Sequence, residues 1–161
     1  MKVLYNDGHV GECTPEEELH IIRHTCSHTL AQAIKRLYPE AHFGYGPATD
    51  NGFYYDVDLG DTKISEEDFA AIEAEMKKIV KENLKIETFE LPRDEAKKLM
   101  QERGELYKAE HIDDLPEDAR ITFYQQGEYI DMCVGPHIMY TKGLKAFKVT
   151  AVSGAYWKGD K

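Results

Sequence analysis

The stretch from Thr14 to Pro39 constrains this chain most. Thr14-Pro15-Glu16-Glu17 is a helix start: Thr14 can cap, Pro15 suits the first helical position, and Glu17 can close a capping box. Pro39 marks the stop. Leu19, Ile22, Cys26, Leu30, Ala33 and Leu37 recur at steps of three and four, which predicts one apolar stripe. His24 and His28 fall on the other side with Ser27, Ala31 and Lys35. Residues four apart on a helix share a face, so the two imidazoles can converge on one point. Small neighbours leave room for something to approach them. The competing reading of the pair is a solvated polar face.

Hydrophobic residues make up 42% of the 161 residues, enough for a sizeable core in one domain. The longest apolar runs are far shorter than a membrane span, and no basic-then-apolar signal opens the chain. The reading is a soluble, cytoplasmic protein without membrane partners. Cys13, Cys26 and Cys133 are odd in number and widely spaced, which argues for reduced thiols. Cys26 reads as a small core hydrophobe, and Cys13 has no assignable role. The formal net charge of -10 repels polyanions, so tight unaided binding of nucleic acid is disfavoured.

Residues 1–13 read as an N-terminal arm or linker remnant, and 14–161 as one globular domain. Strands are predicted at His42–Gly46 and Phe53–Leu59 around the turn Asp50-Asn51-Gly52. Ser65-Glu66-Glu67-Asp68 caps a second helix whose stripe is Phe69, Ile72, Met76, Ile79 and Val80. A strand at Ile86–Leu91 precedes a third helix from Pro92 to Gly104. Strands are then expected at Leu106–Ile112, Ile121–Gln125, Glu128–Val134 and Leu144–Val152, with a loop at Asp113–Asp118. The sum is an α+β domain: a mostly antiparallel sheet, the long helix and further helices packed on it, and a cleft between helix and sheet.

Glu128–Val134 supplies the second half of a constellation. Alternation sends Ile130, Met132 and Val134 to the core, and Tyr129, Asp131 and Cys133 to the opposite face. Gly135-Pro136 turns the chain and His137 follows. His24-x-x-x-His28 with Cys133-x-x-x-His137 offers four N/S donors in two pairs. Tetrahedral zinc would use such a set. So would a metal-free hydrolytic pocket, where imidazoles move protons near neutral pH, or a Cys–His nucleophilic pair. Spacing alone leaves these open.

Arg23-His24-Thr25-Cys26-Ser27-His28 resembles the opening motif of the editing domain of bacterial threonyl-tRNA synthetase. The resemblance continues through Gly46-Pro47, Asn51-Gly52-Phe53-Tyr54-Tyr55-Asp56 and Tyr107-Lys108. It then covers Tyr129-Ile130-Asp131-Met132-Cys133, Gly135-Pro136-His137 and Gly154-Ala155-Tyr156-Trp157, in order from about residue 17 to 160. The Gly-Pro-His ending is similar to the threonyl branch, not to the alanyl-type domains. The resemblance implies an α+β fold with a cleft between long helix and sheet. It implies hydrolysis of seryl-tRNA made in error on the threonine tRNA, with the tRNA acceptor end and the remaining synthetase domains as partners. It implies catalytic roles for His24, His28, Lys108 and Cys133, and substrate binding by Asp131, His137 and the Gly46 backbone. It implies no cofactor; the zinc-holding alternative, as in the alanyl relatives, would use His24, His28, Cys133 and His137. One departure stands out: Val134 occupies the position where the family usually has Arg, and the alternation points it away from the pocket. The family's enzymes continue into an aminoacylation core and an anticodon-binding domain, so the chain reads as an excised editing domain or a free-standing editing factor. Lys108 and His24 would position or activate water, and Asp131 would take the substrate's ammonium or hydroxyl. A missing methyl is worth only about 1–3 kcal/mol of discrimination, so a synthetase cannot reject serine by size and needs a second site too small for threonine.

Overall fold

The computed structural model describes residues 1–44, 46–60 and 62–151. A hairpin, β1 (Lys2–Leu4) and β2 (Val10–Glu12), leads into helix α1 (Pro15–Leu37). Thr14 caps α1 as expected: its Oγ accepts from the Glu17 amide and donates to the Glu17 carboxylate at 2.8 Å. The short strands β3 (His42–Phe43) and β4 (Val57–Asp58) pair next. Ser65 and Asp68 form a capping box over one 3₁₀ turn before α2 (Phe69–Glu82). Then follow β5 (Ile86–Pro92), α3 (Arg93–Glu102), α4 (Leu106–Asp113), β6 (Arg120–Gln126), β7 (Tyr129–Met132) and β8 (His137–Ile138). All strand pairs are antiparallel, in sheets ordered β2-β1-β8, β3-β4 and β5-β6-β7. The fold is α+β with small antiparallel sheets, as expected. No described helix is long and apolar enough to cross a membrane.

Three apolar clusters hold these elements. Ala31, Ala33 and Ile34 of α1 meet Ile72, Met76 and Ile79 of α2 over Phe43. Ile21 and Cys26 meet Val3, Leu4, Ile86, Tyr124 and Ile138. Ala96, Met100, Ala109 and Ile112 of α3 and α4 pack on Ile121 and Phe123. The hairpin is thus a structural part of the fold: Val3 and Leu4 are buried, and β1 fixes β8 by pairing Leu4 with His137.

Several elements differ from the sequence reading. The buried face of α1 is broader than its apolar stripe and rotated from it. Leu19 and Leu37 are exposed, while Thr25, Ser27, His28, Thr29 and Gln32 are buried. Partners explain this: Thr29 donates to the Thr25 carbonyl, and Gln32 donates to the Gln126 carbonyl and the Glu128 carboxylate. Leu106–Ile112 is helix, not strand. Gly104, at φ +73°, ends α3, and the restarted turn puts Ala109 and Ile112 three apart on the third cluster. The strand expected at Phe53–Leu59 shrinks to β4 plus one bridge from Phe53 to Ala48; of that at His42–Gly46, His42–Phe43 is strand, Gly44 and Gly46 are not, and Tyr45 lies outside the described residues. Residues 144–151 form no strand, and Val152 lies outside the described residues.

Arg36 ties α1 to α2 and to the β6–β7 turn. Its guanidinium donates to Glu128 through two nitrogens at 2.9 Å each, to Glu82 at 2.6 and 3.1 Å, and to Glu75 at 3.2 Å. Burial pushes the Glu128 carboxyl up, but Arg36 and Gln32 outweigh it and hold the group at about 2, against an ordinary 4.5. A lowered folded value contributes stability above the unfolded value, and that contribution is lost as pH falls through the folded one. Arg36→Ala should cost about 1–3 kcal/mol at neutral pH by urea denaturation, since it leaves three carboxylates facing one another. Between pH 4.5 and 2 the wild type should lose more stability than the variant. Equal losses would show that the pair contributes nothing.

Candidate functional site

The long helix, the β3–β4 segment, α4 and β7 surround one cavity of about 690 Å³. Its wall includes His24 and His28 from α1, Gly44 and Gly46 after β3, Lys108 from α4, Asp131 from β7 and Cys133 just after it. Tyr54, Arg120, Met132 and Val134 also line it. His137, fully buried, stands behind: its ring centroid is 4.1 Å from that of His24 and 4.3 Å from that of His28. Residues more than a hundred positions apart are joined because β1 holds β8 and β6 holds β7, with Tyr124 opposite Asp131.

Asp131 is the electrostatic centre. It is 1% exposed, accepts three hydrogen bonds and has His28 close beside it. The Lys108 ammonium donates to Oδ1. Tyr55 and Tyr129 donate their hydroxyls to Oδ2 at 2.5 and 3.0 Å, and His28 Nε2 lies 3.2 Å from the same oxygen. Burial opposes the charge, yet the Lys108 ammonium above all, with His28 and Tyr55, holds the carboxyl well below the usual carboxylate range. Lys108 donates also to the Tyr55 hydroxyl at 2.7 Å and to the Gly44 carbonyl at 3.3 Å, so all three of its N–H groups are used. Burial and the neighbouring charge of Asp131 hold both phenols well above their ordinary value, so they remain donors.

The imidazoles are neutral by environment. Burial pushes His28 down to about 3, with Asp131 opposing and His24 and Lys108 adding. Burial lowers His24 and, with the two facing imidazoles, His137. Thr25 Oγ1 lies 2.9 Å from His137 Nδ1 and fixes that ring. Cys133 Sγ lies 3.4 Å from His137 Nε2, but burial and Asp131 raise the thiol well above its ordinary value, which disfavours a nucleophilic thiolate. Gly46 lies flat on Tyr55: a Cβ there would come within 2.1 Å of the Tyr55 ring. Ser27 Oγ donates to the Gly46 carbonyl at 2.6 Å and fixes that backbone.

The structure brings together His24, His28, Gly46, Lys108, Asp131, Cys133 and His137. The solvated-face reading of the histidine pair fails, because His28 is 2% exposed. Within β7 the expected alternation holds: Ile130 and Met132 pack on the third cluster, and Tyr129 and Asp131 take the other face, which is itself buried. Beyond the strand it fails: Val134 is 71% exposed and lines the cavity instead of turning away. Sequence reasoning missed Tyr55 and Tyr129 as partners of Asp131, and Thr25 and Ser27 as supports. Tyr55 lies on the apolar side of an alternating segment, so nothing local marked its hydroxyl as functional.

The donor atoms of His24, His28, Cys133 and His137 all lie within 4.8 Å of one another. Tetrahedral zinc takes N and S at about 2.0–2.3 Å, which sets donors roughly 3.5 Å apart, so a modest contraction of this set would fit such an ion. Thr25 on His137 is the kind of outer support that a zinc-bound imidazole uses. If held there, the ion would supply Lewis-acid polarisation.

Comparison with known proteins gives the chain's relatives. Residues 121–161 match the family described as "Threonyl and Alanyl tRNA synthetase second additional domain". The chain is 59% identical over 145 residues to the threonine--tRNA ligase of Clostridioides difficile, covering 90% of this chain and 22% of that protein. It is 60% identical over 139 residues to that of Clostridium acetobutylicum, covering 86% and 22%. It is 51% identical over 162 residues to that of Clostridium botulinum, covering 99% and 25%. The chain thus spans about a quarter of the length of these relatives. Over that shared stretch it belongs with the bacterial threonine--tRNA ligases, in the region that carries the second additional domain.

Proposed function

We propose that the cavity hydrolyses the ester of seryl-tRNA formed in error on the threonine tRNA. The observation that carries this reading is the cavity itself. It is large enough for an aminoacyl-adenosine, and proton-moving side chains line one wall. His24 is the base in this scheme. Its imidazole is kept neutral by burial, yet it reaches the cavity and can take a proton from water. Lys108 does not take that proton, since its three N–H groups are donated; it holds positive charge beside the carbonyl and orders Asp131 and Tyr55. His28, His137 and Cys133 shape the pocket around the seryl group and ribose. The Gly46 backbone, pinned between Ser27 and the Tyr55 ring, makes a wall that threonine's extra methyl would strike. The acidic charge fits a site that receives only the single-stranded tRNA end, while other synthetase domains hold the tRNA body.

Single-turnover deacylation should show cleavage of seryl-tRNA with threonyl-tRNA largely spared. His24→Ala should slow seryl-tRNA cleavage by about 10²–10⁴-fold, the usual worth of a general base. Equal cleavage of both substrates would remove the size filter from this cavity, and a full-rate His24→Ala would move the base elsewhere.

A second reading is favoured by one observation, the four convergent donors. On it the chain is a zinc-holding module, either a non-hydrolytic binder of the tRNA end or a zinc-dependent deacylase of the alanyl type. Elemental analysis separates the readings. The metal-free reading expects less than stoichiometric zinc and an unchanged melting temperature after chelation. One tightly held zinc, with unfolding on its removal, would establish the second.

A further inference from the structure

One buried ionisable side chain has no part in the scheme above. Glu105 caps the start of α4 and is 6% exposed. Among the described residues its Oε1 has no hydrogen-bond partner. Burial raises its carboxyl above the ordinary value. The cations Lys35 of α1 and Lys108 of α4 pull the other way, as does His42 of β3, while Asp131 of β7 adds to the rise. Lys35 is turned to the Ala41 carbonyl at 2.8 Å. A buried carboxylate oxygen without a donor is costly and calls for a reason.

The reason lies in the crowding of Asp131. A carboxylate offers about four acceptor positions; Lys108, Tyr55 and Tyr129 donate to three of them, and His28 Nε2, 3.2 Å from Oδ2, stands over the remainder. A substrate ammonium can reach Asp131 only by displacing a donor. Lys108 is the one cation among the four, so exchanging one ammonium for another preserves the charge. The displaced ammonium cannot be left buried without an anion. Glu105 is the N-cap of α4 and Lys108 the third residue of that helix, near enough for the Lys108 charge to act on the Glu105 carboxyl.

We propose that Glu105 is a positioning residue: it is the second counterion of Lys108, receiving its ammonium when a substrate ammonium occupies Asp131. This rests on the deacylase reading for the identity of the incoming ammonium, but not for the exchange between two carboxylates. Any proton held by Glu105 passes to solvent as Lys108 arrives, so the ion pair forms with no other reactant. Lys108 then moves away from Asp131 while staying in the cavity wall.

The exchange can be tested without substrate. Asp131→Asn removes the first counterion, and the Glu105 side-chain carboxyl can be followed by carbon-13 NMR. Its titration midpoint should fall by at least one pH unit from wild type. It should return upward in Asp131→Asn/Lys108→Met, where no ammonium is left to arrive. A midpoint unmoved by Asp131→Asn, or one that stays low in the double variant, would overturn the proposal. Should those variants fail to fold, Glu105→Gln, close in shape to the protonated acid, gives the second test. It should raise KM for seryl-tRNA at least tenfold at unchanged melting temperature, and Glu105→Asp should restore part of that loss. An unchanged KM in Glu105→Gln would overturn the proposal. Absence of deacylation by wild type would instead count against the deacylase reading, and the titration would still decide the role of Glu105.

Discussion

The buried ion pair between Lys108 and Asp131 is the interaction on which the site depends. Each charge alone would be very costly to bury, and together they are tolerated only because hydrogen bonds satisfy what the pair leaves over. Tyr55 and Tyr129 do this for the carboxylate, with His28 close beside it, and the Gly44 carbonyl and Tyr55 do it for the ammonium. These partners come from α1, the β3–β4 segment, α4 and β7. The pair therefore requires that four elements be in place at once, and it gives the cavity one defined arrangement of charge.

Around that pair the molecule separates two environments. On the inner side three imidazoles stack within a few ångströms, made neutral by burial and by one another. Elsewhere the lining mixes exposed Tyr54 and Val134 with the exposed cation Arg120. Val134 brings an apolar side chain to the cavity.

Local chemistry made some of this legible and not the rest. The start of α1 was readable because Thr14, Pro15 and Glu17 act within one turn. The pairs His24/His28 and Cys133/His137 were readable because short spacings on a helix and around a turn bring side chains together. The buried face of α1 was not, because Thr25, Ser27 and Gln32 are buried through bonds to His137, Gly46, Gln126 and Glu128. An apolar pattern is blind to a buried polar residue whose partner lies far away in sequence. The same holds for Tyr55, 76 residues from Asp131. The helix α4 was misread because a helix of barely two turns beside Gly104 is too short to display a 3.6-residue period. Val134 was read as turned away because strict alternation was extended past Met132, where β7 ends.

A stability cycle on Lys108 and Asp131, measured by urea denaturation, tests the central claim most directly. Lys108→Met leaves a buried carboxylate without its cation and should cost about 3–5 kcal/mol. Adding Asp131→Asn to that variant removes the stranded charge and should recover part of the loss, so the double variant is more stable than Lys108→Met alone. If the two losses simply add, the charges are not coupled in the folded protein, and the ion pair is not what organises the site.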